Sequence, residues 1–426
     1  MKQKLRFSFT CIILCSLSTR ALLAQVSFRQ SYQAAMEAYK GKDYDTFLRQ
    51  MQLTDTLRPN HPTILYNLAV AYILNDDPQE SFPVLRRALW MNSSLPFQED
   101  NDLEAIRSLT PYQDLQSLKR ELDQSHAAGS VALQLEEPTM HPEGIAIDPQ
   151  NGNWYMGSIR QRKIVRITAT GEVEDFLNDS SLWAIMGLSL DPNQDVLWAC
   201  STAAPEMLAY DTSLTGKSKL LKIDATTGQL QGAYDAPAND TWFGDLHTLP
   251  DGRVFVTSSS STHPAIYGLE EASGQLVEWL SMPDMISLQG ITSDPAGKRL
   301  FVADYREGIL SIDLKTKGVQ RIGNETPHPL KGIDGLYWYE GDLIAIHNGL
   351  QPFRVVRYEL SSDRSAIAAF ELLDKALPHK GEPTLGVVHQ DSLFYIANSP
   401  WGAYDEQYQL LPEKTESPII RSIPLR

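Results

Sequence analysis

Cysteine is scarce in this sequence, with three in 426 residues. Cys11 and Cys15 lie near the start, and only Cys200 lies beyond position 24. If the first 24 residues are removed, no intrachain disulfide is possible, and Cys200, inside the apolar run 196–200, reads as a small core hydrophobe. Basic residues are also in short supply: 37 Lys and Arg stand against 53 Asp and Glu, for a formal net charge of −16. Such a chain repels phosphate backbones, and no basic run offsets the repulsion, which argues against nucleic acid as a partner. Long apolar runs are missing too. A bilayer span needs about 20 apolar residues, and the run at 7–17 is too short, so no membrane span is expected.

That short run has the layout of an export signal. Lys2, Lys4 and Arg6 precede it, small residues follow it, and Ala24 suits the last position before cleavage. Loss of 1–24 removes Lys2, Lys4, Arg6 and Arg20 and no acid, taking −16 to −20. The expectation is an exported protein, periplasmic or secreted, of about 400 residues in two domains.

Residues 28–126 read as helices. Tyr32, Ala35, Met36 and Tyr39 have helical spacing, as do Ile64, Leu65, Leu68, Ala69 and Tyr72. Tyr39 and Tyr72 are 33 apart and each precedes a polar turn. Asp77-Pro78 is a helix start, with proline in the first turn. Helix–turn–helix units with a period near 34 resemble tetratricopeptide repeats, here two degenerate copies over 31–92 with capping helices in 102–122. Two copies are few for a free-standing solenoid, so a protein partner or the next domain is expected to support them.

Beyond position 126 the period changes to that of strands. One motif recurs from 130 to 426: a residue, glycine, an apolar residue, a tight turn, then an apolar strand. It appears as Glu143-Gly144-Ile145, Met186-Gly187-Leu188, Phe243-Gly244-Asp245-Leu246, Gln289-Gly290-Ile291, Asp334-Gly335-Leu336 and Leu385-Gly386-Val387. The glycines are spaced by 43, 57, 46, 45 and 51 residues, the length of propeller blades. The longest step implies an insertion around 203–217. Asp-Pro and Asp-Gly make the turn between the first two strands of a blade, and glycine lets backbones crowd the axis. The reading is an all-β six-bladed β-propeller behind an all-α helical-repeat domain. The extra strand at 131–135 is expected to pair with the last blade and close the ring.

Inner strands of a propeller start at one mouth of the central channel. The residues ahead of the repeat glycines, among them Glu143, Gln289 and Asp334, should therefore face one another, with Asp245 as a possible polar member in the third blade. Carboxylates gathered in a half-enclosed site need compensation, and a hard divalent cation such as Ca²⁺ supplies it. Trp242, Trp338 and Trp401 are candidates for a stacking floor or for blade packing. His247, His141 and His347 lie near strand ends, where one could exchange protons near neutral pH. Asp304, Asn348 and Asn398 each end a second strand, which suits a turn-capping role.

The segments Pro142-Glu143-Gly144-Ile145-Ala146, Leu288-Gln289-Gly290-Ile291 and Ile333-Asp334-Gly335-Leu336 resemble the senescence-marker/gluconolactonase group of six-bladed propellers, related to paraoxonases and strictosidine synthase-like proteins. The resemblance covers about residues 130–426. It implies one divalent metal in the channel, with Glu143, Gln289 and Asp334 as ligands and Asp334 also the general base. Gln289 stands where the group has asparagine. Phe243-Gly244-Asp245 resembles a substrate-side Asn-Asp element with glycine in place of asparagine, which makes Asp245 and Trp242 substrate-side residues. The implied chemistry is hydrolysis of a lactone or ester, with His247 as an accessory acid or base. The competing reading is a non-catalytic propeller scaffold whose helical repeats hold a protein partner.

Overall fold

The computed structural model describes residues 27–426 except 192, 194, 261, 271 and 272. The expected export signal at 1–24 lies outside the described residues. The chain divides after Asp123 into two compact units. Among the described residues no helix is long and apolar enough to cross a membrane.

The first unit is helical: α1 (Phe28–Lys40), α2 (Tyr44–Leu57), α3 (Pro62–Leu74), α4 (Pro78–Met91) and α5 (Thr110–Asp123). Their starts follow from local chemistry. Ser27 and Gln30 form a reciprocal capping box on α1, and Asp43 Oδ1 accepts from Thr46 N at 3.1 Å at the start of α2. Proline opens α3 and α4, where no amide donor is needed. Ala35, Phe47, Met51, Leu65, Leu85 and Ala88 are buried between successive helices, as their spacing predicts. Lys42 and Asp76, with φ of 58° and 60°, make the two polar turns 34 positions apart.

The second unit is a six-bladed β-propeller. Blade 1 is Pro142–Ile147, Trp154–Ser158, Lys163–Ile167 and Val173–Asn178. Blades 2, 3, 4 and 5 begin with Ala184–Asp191, Phe243–Thr248, Leu288–Ser293 and Ile333–Tyr339. Blade 6 takes Gly386–His389, Ser392–Ile396 and Ile419–Pro424 from the end of the chain, and its outermost strand, Ser130–Gln134, from before blade 1. Ser130 pairs with Ser422 and Leu133 with Ile420, so the predicted closing strand does seal the ring. A buried cluster locks this seam. Arg421 Nε donates to Asp374 Oδ2 at 2.7 Å and its Nη2 to Gly129 O at 2.6 Å, while the Tyr395 hydroxyl donates to the same Asp374 oxygen at 2.7 Å.

Blade faces pack on their neighbours, so the core lies between blades. Trp198 and Cys200 of blade 2, for example, meet Phe243, Val256 and Tyr267 of blade 3. Because both faces are covered, Val196–Thr202 is buried throughout instead of alternating. Cys200 is an unpaired core residue. The expected insertion joins the second and third strands of blade 2, over 203–217.

Candidate functional site

The inner strands of blades 1 to 5 share one irregularity. Just after its first paired residue, or in blade 2 its second, each carries a bulge, where the register shifts. A bulge leaves residues out of the ladder and re-aims them. In blade 1, Pro142 pairs with Ser158 and Ile145 with Met156, which leaves Glu143 and Gly144 in the bulge. Blade 2 leaves Met186 and Gly187 in this way, and blade 4 leaves Gln289 and Gly290. The glycines are required by crowding: a Cβ on Gly144 would lie 2.3 Å from Met186 O, and one on Gly290 would lie 2.4 Å from Leu336 N.

Blade 3 departs from the sequence alignment of the motif by one position. Phe243 pairs with Ser258 and Leu246 with Val256, so Gly244 and Asp245 occupy the bulge. Gly244 therefore stands where other blades carry Glu143 or Gln289, and Asp245 stands where they carry glycine. Phe243, aligned in the sequence with the mouth residues, is buried against Tyr267 instead.

The bulges gather a cavity of about 230 Å³ at the starting mouth. Glu143, Gln289, Asp334 and Trp242 line it together, as the motif predicts. Tyr305, Asn348, Glu382 and Trp401 complete the polar and aromatic lining. Glu143 Oε2 accepts from Trp401 Nε1 at 2.9 Å and from Ser399 Oγ at 3.3 Å. Asp334 Oδ2 accepts from Asn348 Nδ2 at 2.7 Å, and Asn348 Oδ1 accepts from the Tyr305 hydroxyl at 2.9 Å. Gln289 Nε2 donates to Ser287 Oγ at 3.0 Å, which leaves its amide oxygen toward Gly244.

Three carboxyl groups share this mouth, and each resists ionisation. Burial, then the charge of Asp334, holds Glu143 well above the carboxylate range. Burial pushes Asp334 up to about 7 despite the hydrogen bond from Asn348. Burial and then Asp334 push Glu382 up to about 8. The physical cause is common to all three: charge in a poorly solvated space beside like charge. The donors are hard oxygens of the kind Ca²⁺ or Mg²⁺ takes, and two carboxylates plus an amide oxygen are available. Among the described residues no three or more His, Cys, Asp or Glu side chains are grouped as a metal cluster. A cation here would therefore rest on the Glu143, Gln289 and Asp334 set with other oxygen donors.

Two candidates do not belong to this cavity. Asp245 turns inward: its Oδ1 accepts from Leu246 N at 2.9 Å and its Oδ2 from Ile291 N at 3.2 Å. His247 lies farther along the same strand, four residues from Phe243, or about 13 Å at roughly 3.3 Å per residue. Both line a separate cavity of about 460 Å³ where the inner strands finish. His247 and Asp334 are thus not brought together, and Asp245 does not join the starting mouth. Trp338 also faces the finishing end. His141 and His347 are buried: His141 Nδ1 pairs with the Tyr404 hydroxyl at 2.7 Å, and His347 bridges Lys331 O and the Tyr358 hydroxyl.

Glu382 lies in the unrepeated connection into blade 6, three residues ahead of Leu385, and the motif does not mark it. Asn348 was expected to cap a turn, as Asp304 does for Ile286, Ser287, Arg306 and Glu307. Its amide instead joins Asp334 to Tyr305.

No protein-family model matches the chain, and no curated protein matches it. Solved structures with a similar fold include a putative gluconolactonase, at 15% identity over 71% of this chain and 91% of that one, with a TM-score of 0.46. A gluconolactonase from Xanthomonas campestris is 16% identical over 71% and 98%, with a TM-score of 0.47. Virginiamycin B lyase from Staphylococcus aureus is 14% identical over 70% and 98%, with a TM-score of 0.45. At these identities the likeness concerns the fold alone.

Proposed function

We propose that the starting mouth is the active site of a hydrolase acting on a lactone or ester, exported to the periplasm or secreted. The observation that carries this reading is the convergence of Glu143, Gln289 and Asp334 on one cavity, with Asp334 oriented by Asn348 and poised near neutrality. In this reading Glu143, Gln289 and Asp334 hold a divalent cation, Ca²⁺ by preference, through hard oxygens. Such a cation, when bound, polarises the substrate carbonyl and offsets the carboxylate charge. Asp334 takes the proton of the attacking water, and Asn348 fixes which of its oxygens faces the substrate. Trp401 and Ser399 hold Glu143 in place through its Oε2. Trp242 and Trp401 offer apolar faces to the substrate.

The test is elemental analysis of the purified protein and of Glu143→Ala, followed by a panel of lactones and aryl esters. Stoichiometric metal lost in Glu143→Ala, together with turnover, supports the reading. Absence of metal and of turnover on the whole panel defeats it and leaves a binding propeller. Under that second reading the helical unit, with matching turns at Lys42 and Asp76, holds a protein partner in the manner of tetratricopeptide repeats.

A further inference from the structure

The finishing end of the channel holds the larger cavity, about 460 Å³, within the roughly 300–1,000 Å³ usual for small-molecule sites. Its chemistry differs from that of the starting mouth. Successive blades supply neutral hydrogen-bonding groups: Ser189 from blade 2, His247 and Thr248 from blade 3, and Ser293 from blade 4. They are preset in pairs. His247 Nε2 lies 2.9 Å from Ser293 Oγ, and Ser189 Oγ donates to Thr248 Oγ1 at 3.1 Å. Trp338 lies beside them, its ring packed against Phe301 at 5.4 Å between centroids and lying under the Arg364 guanidinium at 4.9 Å.

No lysine, arginine or glutamate is among the described residues that line this cavity. Its one carboxyl group, Asp245, has both oxygens engaged by backbone amides. Burial holds His247 down to about 4, so the imidazole is neutral at pH 7. Apart from His247 and His389 no basic side chain among the described residues lines the cavity, and a cation finds no free carboxylate. What remains is chiefly uncharged donors and acceptors, next to the apolar side chains of Leu188, Leu246, Ile291 and Val387. That combination complements a ligand with hydroxyls on its edge and C–H groups on its face.

We propose that the finishing mouth is a second binding site, for an uncharged, hydroxyl-bearing ring of the sugar or cyclitol class. The site is independent of the hydrolase reading, since it shares none of the carboxyl groups of the starting mouth.

Ligand-observed NMR and calorimetry with D-glucose and myo-inositol as uncharged probes, gluconate as the anion and choline as the cation test it. At least one uncharged probe should bind with a Kd near or below about 1 mM, with gluconate and choline at least about tenfold weaker. His247→Ala and Thr248→Val should each weaken that probe about tenfold, because each leaves a hydrogen-bonding partner unsatisfied. Asp334→Asn should leave its Kd within about twofold, even if all turnover is lost. Where a melting curve shows that His247→Ala no longer folds, Ser293→Ala replaces it with the same expectation. Failure of both uncharged probes to bind at about 20 mM overturns the proposal, as does binding that Asp334→Asn abolishes and the finishing-mouth variants leave intact.

Discussion

The two mouths are built from the same six inner strands, yet one is acidic and the other neutral. At the starting end Glu143, Asp334 and Glu382 face a cavity with two amides and two tryptophans. At the finishing end hydroxyls, two histidines and a tryptophan face a cavity twice as large. The connections explain the contrast. At the finishing end, no connection within a blade exceeds six residues. Turns this short, some of them built on Asp-Pro or Asp-Gly, have no residues to spare. The starting end carries the long connections, 203–217 and 397–418, and the approach to blade 6 at 376–385. Trp401 and Glu382 come from these. Loops can add groups to a ring that the strands only frame.

The contrast breaks most sharply at Asp334. With Asn in its place, turnover of any lactone or ester that the protein accepts should fall about 100- to 10,000-fold, with the fold and bound metal retained. In the parent protein burial alone pushes Asp334 up to about 7 and a bound cation draws it lower, so turnover should rise with pH only below about 7 and stay level above it. Steady-state rates from pH 5 to 9 check both. Unchanged turnover in Asp334→Asn would remove this residue from the chemistry.

A second test concerns the wall between the mouths. Gly144→Ala places a methyl group 2.3 Å from Met186 O, where neither backbone can yield cheaply. A loss of about 1–3 kcal/mol in unfolding free energy is expected, measured by urea denaturation. The same change at Gly171, which has nothing within 4 Å but a φ of 86°, separates crowding from backbone strain.

The smallest effect is a matter of pH. Glu382 keeps its proton up to about 8 when folded, against an ordinary value of 4.5. Between those values the folded chain binds more protons than the unfolded one, so stability is present below about 4.5 and is lost as pH rises toward 8. Glu382→Gln should therefore raise the Tm by roughly 5 °C at pH 8.5 and by little at pH 4.5. Equal shifts at both pH values would show that Glu382 acts through packing and not through charge.

How much of this was legible in the sequence varies residue by residue. Glu143, Gln289 and Asp334 could be found because a ring repeats its geometry, and position within the repeat sets direction. The repeat misled in blade 3. Glycine was the marker, but only strand pairing shows that Gly244 sits at the channel position and Asp245 at the glycine position. Asn348 was misread for the opposite reason. It shares its place with Asp304 and Asn398, which do hold backbone groups, but the neighbouring strand puts Asp334 within its reach. Glu382 sits in a connection without periodicity, and spacing alone carried no sign of it. His247 was read as an accessory acid or base because it lies near a strand end, yet that end is the finishing one, away from Asp334.

The seam has a consequence in time. Ser130–Gln134 leaves the ribosome ahead of every strand of blade 1, and its partner Ile419–Pro424 leaves last. Gly129 and Arg421, joined in the finished ring, are 292 residues apart. At about 5–20 residues per second the early strand waits roughly 15–60 s for its partner. Through that interval it is an unpaired edge, open to any other strand. Most of its side chains, Val131 among them, stay exposed even in the closed ring, so closure satisfies its backbone groups more than it buries apolar surface. Closure is then the last event in the making of the propeller, and both mouths take their final form only when it occurs.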